Sequence, residues 1–183
     1  MKTLLQPMLF CAVMLGLAPW VIYAQAENSR NRVEFGTLVA GTNGLQYKEG
    51  EEIPFTGVSV EFYPDGTKRN IRTWKKGLQN GPLIIWHEET CRKKEWGNYL
   101  NGLEDGITLK WFANGQIKSL GHFEKGKKNG LFITWHENGQ WSSGLMYKED
   151  QPTGLTMEKA TNGKTLQELL YKDGKILKPP TPK

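Results

Sequence analysis

The chain has 183 residues, of which 23% are charged with the two signs well mixed, and it carries 21 glycines and an aromatic set of 7 Trp, 6 Tyr and 7 Phe. That length suits one ordinary domain or one repeat array, and the composition excludes a chain that is mostly disordered. The formal net charge of +5 allows an acidic partner or an anionic membrane face and demands neither.

Residues 1–26 read as a targeting segment. Lys2 supplies the positive n-region, Leu4 to Ile22 is largely apolar, and Ala24-Gln25-Ala26 has the small-x-small pattern of a cleavage site, so a cut is expected between Ala26 and Glu27. An uncleaved anchor is the alternative, although the apolar stretch is short for a spanning helix. Cys11 lies too early, behind bulky Phe10, for a lipoprotein cysteine. The expected location is therefore periplasmic or otherwise exported. Removal of this segment takes Lys+Arg from 24 to 23 against 19 acids, a charge of +4. Cys91 is then the lone cysteine, so no internal disulfide is possible, and a buried thiol is expected.

Residues 27–44 form a leader and a first strand. Arg32 to Ala40 alternates weakly, Gly41 to Gly44 is a turn, and Leu45 to Lys48 reads as a return strand before a loop from Gly50 to Pro54. A repeat follows. Its opening glycines are Gly57, Gly81, Gly106, Gly130 and Gly154, at steps of 24, 25, 24 and 24 residues. The clearest copy runs from Gly106 to Gly130. Ile107, Leu109 and Trp111 alternate with Thr108, Lys110 and Phe112 as a strand should. Asn114-Gly115 is a strong hairpin signal, with positive φ expected at both central residues. The same turn recurs as Asp65-Gly66, Asn138-Gly139 and Asn162-Gly163, with Glu89-Thr90 in the second copy. An aromatic closes each return strand: Trp74, Tyr99, Phe123, Tyr147 and Tyr171. Three residues later comes Gly77, Gly102, Gly126 or Gly174, with Asp150 in that place in the fourth copy. The second copy has one extra residue before Tyr99, which predicts a β-bulge or an altered turn. Tyr47 and Gly50 repeat the same spacing, so a half-repeat precedes the first full copy.

Counting from each opening glycine, the +1 residues are Val58, Pro82, Ile107, Leu131 and Leu155, and the +3 residues are Val60, Ile84, Leu109, Ile133 and Met157. The +5 residues are Phe62, Trp86, Trp111, Trp135 and Lys159. Alternation sets these three columns on one face. A lone hairpin cannot bury that face, whereas stacked hairpins can. The expectation is an all-β fold: an elongated antiparallel meander of about five tandem hairpins with an N-terminal half-repeat. It would contain roughly ten to twelve strands over about 50 Å, with the Trp column as its main stabiliser. The repeat domain is expected to span 45–176 with a disordered tail at 177–183, and Lys175 to Lys183, with three prolines, is expected to fray.

The pattern from Asn114 to Gly130, Asn-Gly, then Gly-x-Phe-x-x-Gly, then Gly, resembles the MORN-repeat variant, and more narrowly the YwqK-type antitoxin family. Leu45 to Gly57 is similar to that family's opening segment, and the resemblance covers Leu45 to Ile176. Departures are Glu89-Thr90, Asp150 and Lys159-Ala160. The resemblance implies a non-catalytic binding module that neutralises a toxin encoded nearby. With an export signal it resembles the envelope branch, immunity proteins against delivered effectors such as type VI phospholipases.

Nothing in the residues points to an enzyme. There is no nucleophile elbow, no phosphate loop leading into a helix, and no cysteine pair for zinc. His87 and His136 lie two copies apart, about 19 Å at about 4.8 Å per strand, too far to share a metal. His122 completes no site. No metal, cofactor or small-molecule substrate is expected. Candidate partner contacts are the +6 residues Tyr63, His87, Phe112 and His136 together with Phe132, since aromatic side chains are favoured interface anchors. Ordinary sheet packing is the competing reading of the same residues. Lys75, Lys76, Lys93, Lys94, Lys125, Lys127, Lys128 and Lys172 are expected near turns as a basic edge. They would serve as solvated guards against edge pairing or as a rim for an acidic toxin or anionic headgroups. Interspersed acids argue against nucleic acid.

Overall fold

Two kinds of tight turn alternate along the chain, and they organise everything else. The computed structural model describes residues 31–178; the expected targeting segment with Cys11, and the tail beyond 178, lie outside them. The elements are β1 (Arg32–Glu34), a 3-10 turn (Phe35–Thr37), β2 (Leu38–Ala40), β3 (Gln46–Lys48), β4 (Gly57–Phe62), β5 (Lys68–Lys75), β6 (Leu78–Trp86), β7 (Lys93–Leu100) and β8 (Leu103–Glu104). They continue with β9 (Gly106–Trp111), β10 (Ile117–Glu124), β11 (Lys127–Lys128), β12 (Gly130–Trp135), β13 (Trp141–Lys148), β14 (Gln151–Lys159), β15 (Thr165–Lys172) and β16 (Lys175–Lys178). From β4 to β16 the pairing is antiparallel and follows chain order in a 14-stranded sheet, with two-residue β8 and β11 as side extensions. The hairpin meander expected from the repeat is therefore the observed fold.

Within each copy the hairpin turn is not the two-residue form expected at Asn114-Gly115. Gly115 donates its N–H to the Phe112 carbonyl at 2.9 Å and Phe112 donates to Gln116 at 2.8 Å. Gly115 has φ 91° while Asn114 stays out of the left-handed region. This is a type I turn closed by a left-handed glycine, the form that inserts a one-residue bulge. The register slips by one residue at this place in all five hairpins. The true two-residue turns join the hairpins. There both central residues are left-handed: Lys76-Gly77, Asn101-Gly102, Lys125-Gly126, Glu149-Asp150 and Asp173-Gly174. Asp150 takes φ 68° in the slot that glycine fills elsewhere.

The extra residue of the second copy lies in the turn itself. Cys91 donates its N–H to the His87 carbonyl at 3.0 Å, and His87 donates to Arg92 at 2.8 Å, one residue further than in the other copies. Cys91 adopts φ 53° and stands at the exposed tip. The expected altered turn is present. The expected buried thiol is not, because the inserted residue falls where the chain reverses in solvent.

The N-terminus departs from the repeat. β1 pairs parallel with β4, Arg32 opposite Val58, and β2 with β3 forms a separate two-stranded sheet. The half-repeat thus does not continue the main ladder. It is tied instead to the first inter-hairpin turn: Gln46 donates to the Gly77 carbonyl at 2.9 Å and Gly77 donates to Phe55 at 2.7 Å. Pro54, which has no N–H to give a ladder, bridges Tyr47. At the other end β16 pairs with β15 through Lys172↔Lys175 and Tyr171↔Ile176, so strand pairing replaces the fraying expected over Lys175 to Lys178.

The core sits in the first copies. Val58, Val60 and Ile71 form a buried cluster with Trp86 packed against it, and Ile84, Leu109 and Phe55 are also buried. Trp86, Trp111 and Trp135 are only half-buried and Phe62 is exposed. The indole column therefore lies over the core margin, and the +1 and +3 aliphatics carry the burial. On the opposite face, each closing aromatic stands across from its opening glycine, as in Gly57↔Trp74, Gly106↔Phe123 and Gly130↔Tyr147.

Candidate binding surface

Two edges and one face carry the side chains singled out from the sequence. Along the hairpin-turn edge, the +6 residues stitch each copy to the next. The Tyr63 hydroxyl donates to the Trp86 carbonyl at 2.7 Å. His87 Nε2 is 3.0 Å from the Trp111 carbonyl and His136 Nε2 is 2.7 Å from that of Lys159. A carbonyl only accepts, so Nε2 carries the proton in both rings. Phe112 occupies the same column without a polar atom, and Lys118 lies 5.5 Å from its ring centre. A second ladder runs beside this one. Asn114 Nδ2 donates to Glu137 at 2.9 Å and Asn138 Nδ2 to Thr161 at 3.0 Å, while the Arg92 guanidinium donates to the Asn114 carbonyl. Tyr63, His87, Glu88, Glu89, Lys94 and Ala113 line a shallow depression on this edge.

Phe132 stands apart from that column, on a face of the sheet. Its ring meets Phe123 edge-on at 5.2 Å and Tyr147 edge-on at 5.1 Å. The Lys128 ammonium lies 5.4 Å from the Phe132 centroid and 4.9 Å from that of Tyr147. Edge-to-face packing matches the positive rim of one ring to the negative face of the next, and the cation sits over two negative faces. Gly121 lies beneath: a Cβ there would overlap Phe132 Cε1, with Cδ1 and Cζ at 2.8 Å. All three rings are half-buried. The five contact residues proposed from sequence therefore do not form one site. Four belong to the turn edge and one to this platform of rings and a lysine. Phe123, Tyr147 and Lys128 complete the platform. The sequence shows the closing aromatics recurring with the repeat, but not the register that sets Phe123 and Tyr147 on the face of Phe132.

Toward the N-terminus the same face becomes polar and enclosed. Phe35 stacks on Trp74 at 6.2 Å, and the Arg72 guanidinium lies 4.6 Å from the Phe35 centroid. Trp74 Nε1 donates to Ser59 Oγ at 2.7 Å. Burial depresses the Arg72 pKa, with Glu61 opposing that shift. Burial raises the Tyr99 phenol, and Glu104 and Glu95 add to the effect. Glu95 is paired with Lys110 at 3.2 Å.

The lysines divide between the two edges. Lys75, Lys76, Lys125, Lys127, Lys128 and Lys172 lie at the inter-hairpin turns, whereas Lys93 and Lys94 begin β7 just after a hairpin turn, on the opposite edge. Lys93 is half-buried there and burial lowers its pKa. The single basic edge expected from sequence is thus split. Two-residue turns place Lys75 and Lys76 on one side of the sheet, and the longer second-copy turn places Lys93 on the other. The inter-hairpin edge is also mixed in sign. Lys127 pairs with Glu149 at 3.6 Å, and a depression there is lined by Lys127, Lys148, Glu149, Gln151, Thr153 and Asp173. Among the described residues no group of three or more His, Cys, Asp or Glu is arranged to hold a metal. His122 Nδ1 lies 2.6 Å from the Asn129 carbonyl. No described helix is long and apolar enough to cross a membrane.

Residues 104–125 match the MORN repeat variant family. The matched span is the third copy from β8 through β10 into the following turn. No curated protein matches the chain. The matched family is a repeat module, and the match covers one copy of the repeat.

Proposed function

We propose that this protein is a non-catalytic protein-binding module of the cell envelope, exported after cleavage near Ala26, that binds and neutralises a cognate toxin. A secretion-system effector such as a type VI phospholipase is the class the YwqK-type resemblance suggests. The observation that carries the binding reading is the platform of Phe123, Phe132, Tyr147 and Lys128. Aromatic rings are enriched in protein interfaces, and here they sit on a sheet whose backbone is already satisfied. Occlusion of a toxin's active site or membrane-docking face needs no chemistry from the module.

The test is co-expression of the mature chain with the product of the adjacent gene, followed by co-purification and by survival of cells carrying the toxin. Complex formation and protection are expected. Phe132→Ala should weaken binding about 30-fold, the loss of about 2 kcal/mol typical of an anchor, while the purified variant still unfolds cooperatively. No complex and no protection would overturn the proposal. Salt-sensitive binding of the isolated chain to anionic vesicles would support instead a membrane-peripheral scaffold acting through its lysines.

A further inference from the structure

One face of the sheet changes character along the chain. Its +1 row begins buried, at Val58, and ends open: Leu131, Met146, Leu155 and Leu170 are 41–60% exposed. Register sets these four side by side. Leu131 pairs with Met146 and Leu155 with Leu170, and Leu155 falls midway between the partners of Gly144 and Met146. They form one apolar row across β12 to β15. Phe132 follows Leu131 and Tyr147 follows Met146, so alternation puts the aromatic platform on the opposite face. At about half exposure the row presents on the order of 350 Å² of apolar side chain, a patch of the size that is often functional.

We infer that this row is the centre of a weak, reversible interface between two copies of the chain, packed face to face about a two-fold axis that runs along the row. Charge selects both the occupant and the axis. On β15, Leu170 lies between Glu168 and Lys172, two residues to either side and therefore on the same face. Neither has an ion-pair partner among the described residues. Rotation about the row reverses the strand direction. It sets Leu170 on Leu170 and brings Lys172 of each copy over Glu168 of the other, so one isologous contact satisfies both pairs. Lys148 then meets Gly144 of the other copy, and Lys159 is held 5.7 Å from the centre of its own Trp141 ring. An axis parallel to the strands would instead line up Lys148 and Lys172 of both copies on one side, with Glu168 of each away from them. An anionic headgroup surface would meet the Glu168 carboxylate beside the row. The apolar area is less than half of the about 800 Å² per partner in a standard interface, which places the dissociation constant on the order of tens of μM. At the lower concentrations of an unfolding measurement the chain is a monomer. This inference does not rest on the toxin reading, which uses the opposite face.

Sedimentation equilibrium of the full mature chain from about 1 to about 200 μM spans that dissociation constant. The mean mass should rise from monomer toward dimer across the range. Leu170→Asp, at an exposed position on the axis, sets like charges against each other and should leave a monomer throughout. Glu168→Lys and Lys172→Glu each turn two exposed ion pairs into like-charge contacts and should each weaken the dimer about tenfold. The double exchange Glu168→Lys, Lys172→Glu puts opposite charges back across the axis. It should return the dimer to near its parental strength, a rescue that a damaged fold could not give. Phe132→Ala, on the other face, should leave the dimer unchanged. A monomer at every concentration, a dimer that survives Leu170→Asp, a double exchange no stronger than the single ones, or a dimer lost with Phe132→Ala would each overturn the inference. So would loss of the toxin complex in Leu170→Asp, which would give this face to the toxin.

Discussion

The first and last copies of the repeat are built from the same pattern and end in different environments. Val58 and Val60 in β4 are buried, while Leu155 at the matching place in β14 is 60% exposed. The difference lies in the neighbours. The first copies have later hairpins on one side and, on the other, β1, Phe35 and the tethered half-repeat. The last copy has β13 on its inner side and, among the described residues, only β16 on its outer side. A repeat array is stabilised by interfaces between units and by its caps more than by any unit, so identical side chains should contribute unequally along the chain.

The largest expected contrast tests this directly. Ile84→Ala removes a side chain with 1% exposure and should cost about 3 kcal/mol, within the range for buried aliphatic truncation. Leu155→Ala should cost under about 0.5 kcal/mol. Equal losses in denaturant melts would show that the copies are energetically equivalent. Next comes the cap. Phe35→Ala removes a ring stacked on Trp74 and lying under Arg72, with an expected loss of about 2 kcal/mol from burial and ring contact together. That loss should appear as earlier hydrogen exchange in β4 and β5, with β13 to β15 unchanged. Loss spread evenly over the sheet would mean that the cap acts on the whole array.

The aromatic platform supplies a mid-array comparison. Gly121→Ala puts a methyl where the Phe132 ring lies, and that ring is held between Phe123 and Tyr147. Overpacking of this kind costs about 1–2 kcal/mol. Phe132→Leu in the same chain should recover most of it, because the smaller side chain vacates the overlap. An unchanged melting temperature in Gly121→Ala would show that the ring is free to move.

Much of this contrast was legible in the sequence, and the rest was not for identifiable reasons. Opening glycines at steps of 24 or 25 announced the hairpins because turn chemistry is local: Asp150 could be assigned to a glycine slot and does take φ 68°. Alternation told which residues share a face. It did not tell what covers that face, so the Trp column was given the burial that Val60, Ile71 and Ile84 carry. The position of Cys91 depended on whether an inserted residue enters the strand or the turn, and spacing alone fits both. The platform was hidden by register: pairing Phe123 with Gly106 is what sets the closing aromatics on Phe132's face.

The ladder along the hairpin-turn edge contains its own control. His87 hydrogen-bonds the next copy and Phe112, one copy on, has no atom with which to do so. His87→Phe should cost about 1 kcal/mol, the net value of one such bond. Phe112→His should gain up to about the same amount if its ring reaches the Trp135 carbonyl. Thermal melts of the two single variants and the double exchange would show whether the slot or the residue sets the value.

The smallest effect separates the first hairpin turn from the others by pH. Asn114, Asn138 and Asn162 each accept the N–H two residues ahead with a neutral amide oxygen, at 2.9–3.0 Å. Asp65 makes the same bond to Thr67 at 2.8 Å with a carboxylate, and also accepts the Thr67 hydroxyl at 2.6 Å. The hydroxyl bond first, and the backbone bond second, lower the Asp65 pKa below its ordinary value. A carboxylate with a depressed folded pKa binds its proton more readily unfolded than folded. Its contribution is therefore complete above the unfolded value of about 3.9 and fades as pH falls through the lower folded value. Asp65→Asn converts this turn to the chemistry of the other three, so its melting temperature should fall less steeply than the parent's below about pH 4 and run parallel to it from pH 6 to 8. Parallel curves through the acid range would show that the exposed carboxylate holds its proton equally in both states, and that the first turn is no different from its copies.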